Sequence, residues 1–473
     1  MARPGAVSVR SRAPSVKASF APAIVPVLVA LRAAVESSGL TRMSAPVGVA
    51  VALSGGRDSI VLLDALAMLA PELDIGLSAI HVHHGLSPNA DAWAAFCAEA
   101  CASCGVPLAV RRVTVTRSGG ESLEASARAA RYAAFAAVDV PCIALAHHAD
   151  DQAETVLLQL LRGAGPQGLA AMPVLRASAA GPSLLRPFLA LPRSAIVAYA
   201  SARHLTFVDD ESNVDTGRKR NFLRHEVAPL LAAAFPGYPA TLARAAEHQA
   251  ESAQLADALA RLDAEGAIDC GAGPNPSLER AALVALAASA PARAKNLLRW
   301  FLRLHGQKAP SSARLAAMLD QLRHAGPDAR VRLAHAGIEI GVHRGRIFVH
   351  RPALAPYAIA WRGAASVVLP HGTLEFVASA GAGIAQAATA NAEVTIRPRS
   401  GGERIRPERG RPSRSLKRLL HDAGLAPWQR DAFPLVYRGD KLVAVPGIAV
   451  DVAFQTAAGA PGYEVRWQPS QPW

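Results

Sequence analysis

The 473-residue chain is poor in cysteine, and it has no uncharged apolar run long enough to cross a bilayer. Its five cysteines are an odd, sparse set that excludes a disulfide-framed secreted domain and fits a reducing cytoplasm. The best membrane candidate, "FAPAIVPVLVALRAAV", is broken by two prolines and by Arg32, so it reads as a soluble helix behind a loop, with no membrane partner. Residues 1–20 carry Arg3, Arg10, Arg12 and Lys17 but no acid. They also lack the apolar core of a secretory signal, and read as a disordered basic extension. Two nucleotide-binding signatures are missing as well: there is no G-x-x-x-x-G-K-[ST] loop and no G-x-G-x-x-G fingerprint. No internal repeat is visible.

Acid is outnumbered. Fifty Lys/Arg face 37 Asp/Glu, for a formal charge of +13, and this favours a polyanionic partner with nucleic acid first. An Ala/Arg-rich chain reaches a high charge by composition alone, so the argument holds only where the charge clusters. It does so in 397–418, where Arg397, Arg399, Arg404, Arg406, Arg409, Arg411, Arg414, Lys417 and Arg418 meet only Glu403 and Glu408. Interspersed Pro and Gly keep this stretch off a regular helix until about Ser415.

The length predicts two to four domains. From about 45 to 235, short apolar runs alternate with helical patterns. "VGVAVAL" leads to a helix from about Ser59, "IGLSAIHV" to one from about Asn89, "PLAVRRVTV" to one from about Ser122, and "PCIALAH" to one from about Asp150. Such repetition predicts an α/β domain, a parallel sheet with helices on both faces. Chemistry in these folds gathers at the carboxyl ends of strands. The unusual residues fall there: Ser54-Gly55-Gly56, His83-His84-Gly85 and His147-His148. A helical and hairpin-forming stretch, 236–385, follows. An Ala/Gly-rich linker near 380–391 then precedes a small α+β unit, 392–473.

In "VAVALSGGRDSIVLLDAL" a strand ends in Ser-Gly-Gly and a helix begins at once. The turn offers backbone amides and the positive end of a helix dipole to an anion, and glycine lets the backbone approach phosphate oxygens. The Ser54 and Ser59 hydroxyls add donors, and Asp58 is placed to meet a Mg2+ ion bridging phosphates. Ser54, Gly55, Gly56, Arg57, Asp58 and Ser59 are therefore the candidate nucleotide loop.

The string S-G-G-x-D-S resembles the pyrophosphate-binding loop of the N-type ATP pyrophosphatases, or PP-loop superfamily, whose fold is Rossmann-like. The series "AIHVHHGLSPNADAW", "GESLEASARAARYAAF", "LAHHADDQAETVLLQLLRGAGPQGLAAM" and "DDESNVDTGRKRNFLRHEVAPLL" resembles the tRNA(Ile)-lysidine synthases within it. "RPRSGGERIRP", "SRSLKRLLHDAGLAPWQRDAFPLVY" and "VAVPGIAV" look like that family's terminal tRNA-binding domain. The resemblance implies an ATP-dependent ligase of the cytoplasm. ATP would adenylate the carbonyl oxygen at carbon 2 of the wobble cytidine in the isoleucine tRNA with a CAU anticodon. Free L-lysine would then displace AMP to give lysidine. It also implies four units: a basic extension with a first helix, 1–44; the catalytic domain, 45–235; a middle tRNA-binding domain, 236–385; and a C-terminal tRNA-binding domain, 392–473. A homodimer stays open.

Several residues gain roles from the resemblance. In "HHADDQAET", Asp150 and Asp151 stand at a helix start, and Glu154 follows three residues after Asp151. Taken alone they read as helix caps and a solvated acid; the resemblance makes Asp151 and Glu154 candidates to hold lysine. Ala153, Val156, Leu157, Leu160 and Leu161 predict one buried face for that helix. Arg128 and Arg131 become candidates for contact with cytidine or phosphate, Arg128 among the catalytic group. Arg220, Asn221 and Arg224 read equally as a tRNA contact or a solvated helix face. Arg406, Arg414, Lys417 and Arg418 are expected to touch tRNA phosphates. His81, His83, His84, His147 and His148 read equally as ligand contacts or satisfied structural groups. Ser87 stands where relatives often carry Arg.

One rival is a PP-loop tRNA thiolase, which would use Cys101-Ala-Ser-Cys104. Cys97, Cys101 and Cys104 recur at i, i+4 and i+7, the stripe of a buried helix face, and Gly105 ends that helix. A second rival, a tRNA-binding protein that lost its chemistry, conflicts with the intact loop.

Overall fold

The central apolar runs become strands because their β-branched residues are covered on both faces, and amphipathic stretches that follow become the helices that cover them. A computed structural model describes residues 21–40, 46–116, 123–178, 181–209, 215–270, 276–326, 331–352, 355–390 and 393–470. The chain forms two compact units, 1–254 and 255–473.

In the first unit the elements run α1 (Val25–Ser37), β1 (Val47–Ala52), α2 (Arg57–Leu73), β2 (Ile75–His83), α3 (Ala90–Ser103), β3 (Leu108–Arg112), α4 (Leu123–Ala136), β4 (Cys142–Ala144) and α5 (Ala149–Leu160). They continue through α6 (Pro166–Leu169), β5 (Leu175–Arg176), β6 (Ser183–Leu185), α7 (Arg193–Ala202), α8 (Lys219–Phe222), a π-helical turn (Leu223–Val227), α9 (Ala228–Ala234) and α10 (Tyr238–Ala264). The sheet order is β3-β2-β1-β4-β6-β5. All neighbours are parallel except the β5–β6 edge. Val51 of β1 registers with Ala79 on one side and Ala144 on the other, so the turns after β1 and β4 emerge at one level of the carboxyl edge.

The expected α/β architecture is what the chain adopts. Alternate residues of β1 face opposite layers. Val49 and Val51 join α1, α2, α3 and α7 in one core, while Ala50, Ile80, Ile143 and Leu184 lie under Phe135 and Tyr132 of α4. Buried Asp64 accepts from the Tyr199 hydroxyl at 2.7 Å and from Arg203 at 2.9 Å, tying α7 to α2 behind the glycine turn.

Three expectations need correction. Within 1–44, Val27 and Leu31 of α1 are fully buried in the main core, so this helix is part of the catalytic fold; residues 1–20 lie outside the described residues. The predicted stripe of α5 ends early: Ala153 and Val156 are buried, but Leu160 is 57% and Leu161 76% exposed. The middle and C-terminal boundary also moves. Ile359–Trp361 pairs with Val394–Arg397, and Gly372–Ala380 with Pro461–Pro469, so strands assigned to 236–385 belong to the C-terminal sheets. The supposed linker contributes fully buried Ile384 to the same sheet.

In the second unit, helices Arg280–Ser289, Pro291–Leu304 and Ser312–His324 cover an antiparallel sheet that includes Ile338–His343 and Arg346–His350. The helix Leu416–Asp422 starts where expected, its Ser415 hydroxyl accepting from the Arg418 amide at 3.4 Å. Trp428 stacks on His350 with ring centroids 4.2 Å apart and lies against Gly341. A Cβ at 341 would meet the Trp428 ring at 2.5 Å and His350 Nε2 at 2.9 Å.

Gly341→Ala is therefore expected to destabilise the protein by about 1–3 kcal/mol through overpacking. On a Trp428→Ala background most of that penalty should vanish. Denaturant unfolding of the single and double variants checks this, and additive effects would contradict it.

Candidate functional site

The turn after β1 is shaped by glycine and closed by serine. Gly55 adopts φ +87°, a conformation that side chains resist, and a Cβ there would lie 3.3 Å from Cys97 Sγ. The Ser59 hydroxyl donates to the Gly56 carbonyl at 2.8 Å and accepts from the Ser54 amide at 3.2 Å. The Gly56 amide donates to Ser54 Oγ at 3.3 Å. From the loop after α7, the Val208 amide donates to the Gly55 carbonyl at 3.0 Å, a latch that no local motif announced. No side chain caps the N-terminus of the 17-residue α2, so its first turn faces outward as an anion seat.

Asp58 stands in that first turn. Its carboxylate accepts from Arg57 Nε at 3.3 Å and lies 3.7 Å from His148 Nε2. His148, 3% exposed at the start of α5, also approaches Asp150 at 3.6 Å and Asp151 at 3.5 Å. Its own amide donates to Asp151 at 3.1 Å. Burial opposes the imidazolium charge, yet contacts with Asp150 and Asp58 and the charge of Asp151 outweigh it and push the pKa up to about 9. Burial likewise works against the Asp58 carboxylate, but His148 and Arg57 hold it below the usual range. Neighbouring His147 behaves oppositely: burial and three arginines keep it neutral despite Asp151.

Asp151 and Glu154 do project together, and neither is a solvated acid. Glu154 is 6% exposed; it accepts from Arg220 Nε at 2.7 Å and from Arg224 Nε at 2.6 Å. Asp151 accepts from Arg224 at 3.0 Å and lies 3.5 Å from Arg220. The π-helical turn beginning at Leu223 follows α8 and carries Arg224 onto the same acids as Arg220. Buried Asn221 donates to the Asp215 carbonyl at 3.0 Å, securing the entry to α8. Arg220 and Arg224, read from sequence as a tRNA contact or a solvated face, thus lie on the acid pair 66 to 73 residues earlier, a separation that no local pattern reveals.

On α4, Arg128 donates to the Tyr132 hydroxyl at 3.1 Å rather than pairing with Glu124. Arg131 donates to His84 Nε2 at 3.4 Å, and burial together with that guanidinium lowers His84 to about 4. His81 Nδ1 lies 2.9 Å from the Leu53 carbonyl, and His83 lies 3.2 Å from Asp91, so these two support the strand ends. Cys97 and Cys101 are buried, and burial raises their thiols to about 12 and about 11. Among the described residues no group of His, Cys, Asp and Glu is arranged to hold a metal ion by itself. The thiolase chemistry therefore finds no cluster.

In the C-terminal region part of the basic run is spent internally. Arg399 pairs with Asp431, Arg414 with Asp422, and Arg397 lies over the Tyr437 ring at 3.9 Å. Arg406, Arg409, Lys417 and Arg418 are exposed and form no ion pair among the described residues.

The chain matches three family descriptions: a PP-loop domain over residues 32–231, a TilS substrate binding domain over 282–348, and a TilS substrate C-terminal domain over 394–467. It is 44% identical over 428 residues to a tRNA(Ile)-lysidine synthase of Nitrosomonas europaea, covering 89% of this chain and 92% of that one. Similar proteins of that name from Azoarcus sp. and Chromobacterium violaceum are each 43% identical, covering 89% of this chain and 91% and 95% of their own lengths.

Two outcomes follow from the geometry. Gly55→Ala should weaken ATP binding by about tenfold, since a left-handed backbone costs a side chain about 1–2 kcal/mol and the contact with Cys97 adds to it. Cys97→Ala should restore only the contact part; calorimetric ATP titration checks both. In an NMR pH titration, His148 should stay charged to about pH 9 while His147 stays neutral well below its ordinary pKa. The His148 contribution to stability is full below its unfolded pKa of roughly 6.5 and is lost as pH rises through about 9.

Proposed function

We infer the reaction from one premise: the chain belongs to the tRNA(Ile)-lysidine synthase family. It is an ATP-dependent ligase that converts the wobble cytidine of isoleucine tRNA with a CAU anticodon to lysidine, using free L-lysine. The observation that supports this most is the meeting of two sites at one sheet edge. The turn Ser54–Ser59 leads to Asp58, and His148 links Asp58 to the acids of α5. A nucleotide on the turn and an amine on the acids would lie side by side.

The uncapped start of α2 and the Ser54 and Ser59 hydroxyls would hold the phosphate tail. Asp58 suits a Mg2+ ion that phosphates and water complete: its carboxylate is 34% exposed at that helix start, and such an ion needs only one or two protein carboxylates. When bound, the ion would neutralise the charge of the departing pyrophosphate. The cytidine O2 attacks the α-phosphorus and pyrophosphate leaves. The ε-amine of lysine then adds at carbon 2, AMP departs with O2, and the amine's protons pass to a base.

Only about one lysine in a few thousand carries a neutral ε-amine at pH 7. Asp151 and Glu154 attract the ammonium form, so one of them must also take its proton or the closed site must desolvate it. Both acids already bear guanidinium groups, so the ammonium enters by displacing or sharing Arg220 or Arg224.

Incubating the protein with ATP, labelled lysine and a CAU-anticodon transcript should put label into RNA only when the wobble base is cytidine. The transfer rate should rise from pH 6 to 9. Glu154→Gln should raise the lysine KM by about tenfold or more, the loss of a charge-assisted contact. Absence of AMP, or full turnover by Asp58→Ala, would overturn the assignment.

A further inference from the structure

Arg186 follows β6 directly, at the carboxyl edge and one strand beyond the turn that carries His147 and His148. It is 3% exposed, which is exceptional for an arginine that makes no ion pair. One terminal nitrogen donates to the Pro173 carbonyl at 2.8 Å, but the buried Nε has no partner. The acids of this region are engaged elsewhere: Asp151 and Glu154 with Arg220 and Arg224, Asp64 with Arg203, Asp91 with Arg112. Among the described residues, Arg186, Arg128 and Arg176 pair with none.

These cations are close enough to repel one another. Burial lowers the proton affinity of Arg186, Tyr132 partly offsets that, and Arg176 and Arg128 add to the loss. The Tyr132 hydroxyl accepts from Arg128 at 3.1 Å and is also a hydrogen-bond partner of Arg186, so the phenol is shared by two guanidinium groups. His147 is kept neutral in part by the same arginines. A buried guanidinium with neutral partners only, next to a second one, is costly unless an anion completes the group.

We propose that Arg186, with Arg128 and Tyr132, forms an oxyanion seat for a phosphodiester of the RNA strand beside the base being modified. This rests on the reaction assigned above and adds a positioning site to it. The nucleotide's phosphates already have the turn after β1, two strands away and roughly 10 Å off at the usual strand spacing. Arg128 is exposed and Arg186 buried, so the seat runs from the surface inward, as a polymer strand requires. The planar fork of arginine suits two oxygens of one phosphate. A base drawn out of its stack into a closed site brings its flanking phosphates with it.

The test uses the full chain with Arg186→Met, Arg186→Lys and Arg128→Gln. Binding of ATP alone and of the transcript alone is measured across a salt series. Arg186→Met should bind the transcript at least tenfold more weakly, and its log–log salt slope should shrink by roughly 0.7–0.9, the share of one phosphate contact. ATP affinity should stay within twofold, and Arg186→Lys should recover the slope. Unchanged transcript affinity and slope in a folded Arg186→Met protein overturns the seat. Weaker ATP binding with unchanged transcript binding assigns the oxyanion to the nucleotide and overturns the RNA assignment. Should Arg186→Met fail to fold, the exposed Arg128→Gln decides: a shrunken slope supports the seat and an unchanged one overturns it. Wild-type protein that binds the transcript but makes no AMP overturns the reaction instead, and that result involves no variant.

Discussion

A buried imidazolium holds this site together. Asp58, Asp150 and Asp151 come from two different strand ends, and three carboxylates at such range repel one another strongly in a low-dielectric setting. His148 lies within 3.7 Å of all three, and their combined field keeps it charged. The loop that would hold ATP and the helix that would hold lysine are thus coupled through one side chain.

A second charge balance lies one turn further along α5. Buried Glu154 is matched by two guanidinium groups, Arg220 and Arg224, where an unpaired charge would be costly. These pairs cross 66 and 70 residues of sequence. Both Arg220 of α8 and Arg224 of the π-helical turn that follows it are on the acids.

What was legible in the sequence was local. The strand–helix alternation, the glycine turn, the cysteine stripe and the Ser415 cap each depend on spacing within a dozen residues, and each appears where spacing puts it. What was not legible was pairing at long range. Alternation in 359–380 announced strands but could not say that their partners lie at 394–397 and 461–469. The α5 stripe counted apolar residues but not which of them find a packing partner, and Leu160 and Leu161 are exposed. Basic clustering in 397–418 was correct as a count, yet Arg399 and Arg414 meet acids outside the window, at Asp431 and Asp422. The candidate phosphate contacts narrow to the cations left exposed.

The charge balance also decides how losses of function should be apportioned. Removing Glu154 would do more than delete the proposed substrate contact, because it strands Arg220 and Arg224 beside Asp151 alone. Removing either arginine takes a charge-assisted partner from both acids at once. Residues on the two sides of this network therefore act as a unit, and single substitutions cannot be summed. A paired loss, with an acid and its guanidinium removed together, separates the cost of a broken balance from the chemistry the acid performs. If the acid pair takes the lysine ammonium as proposed, the substrate's cation would replace one that the protein itself supplies, and that exchange would favour lysine over neutral amines.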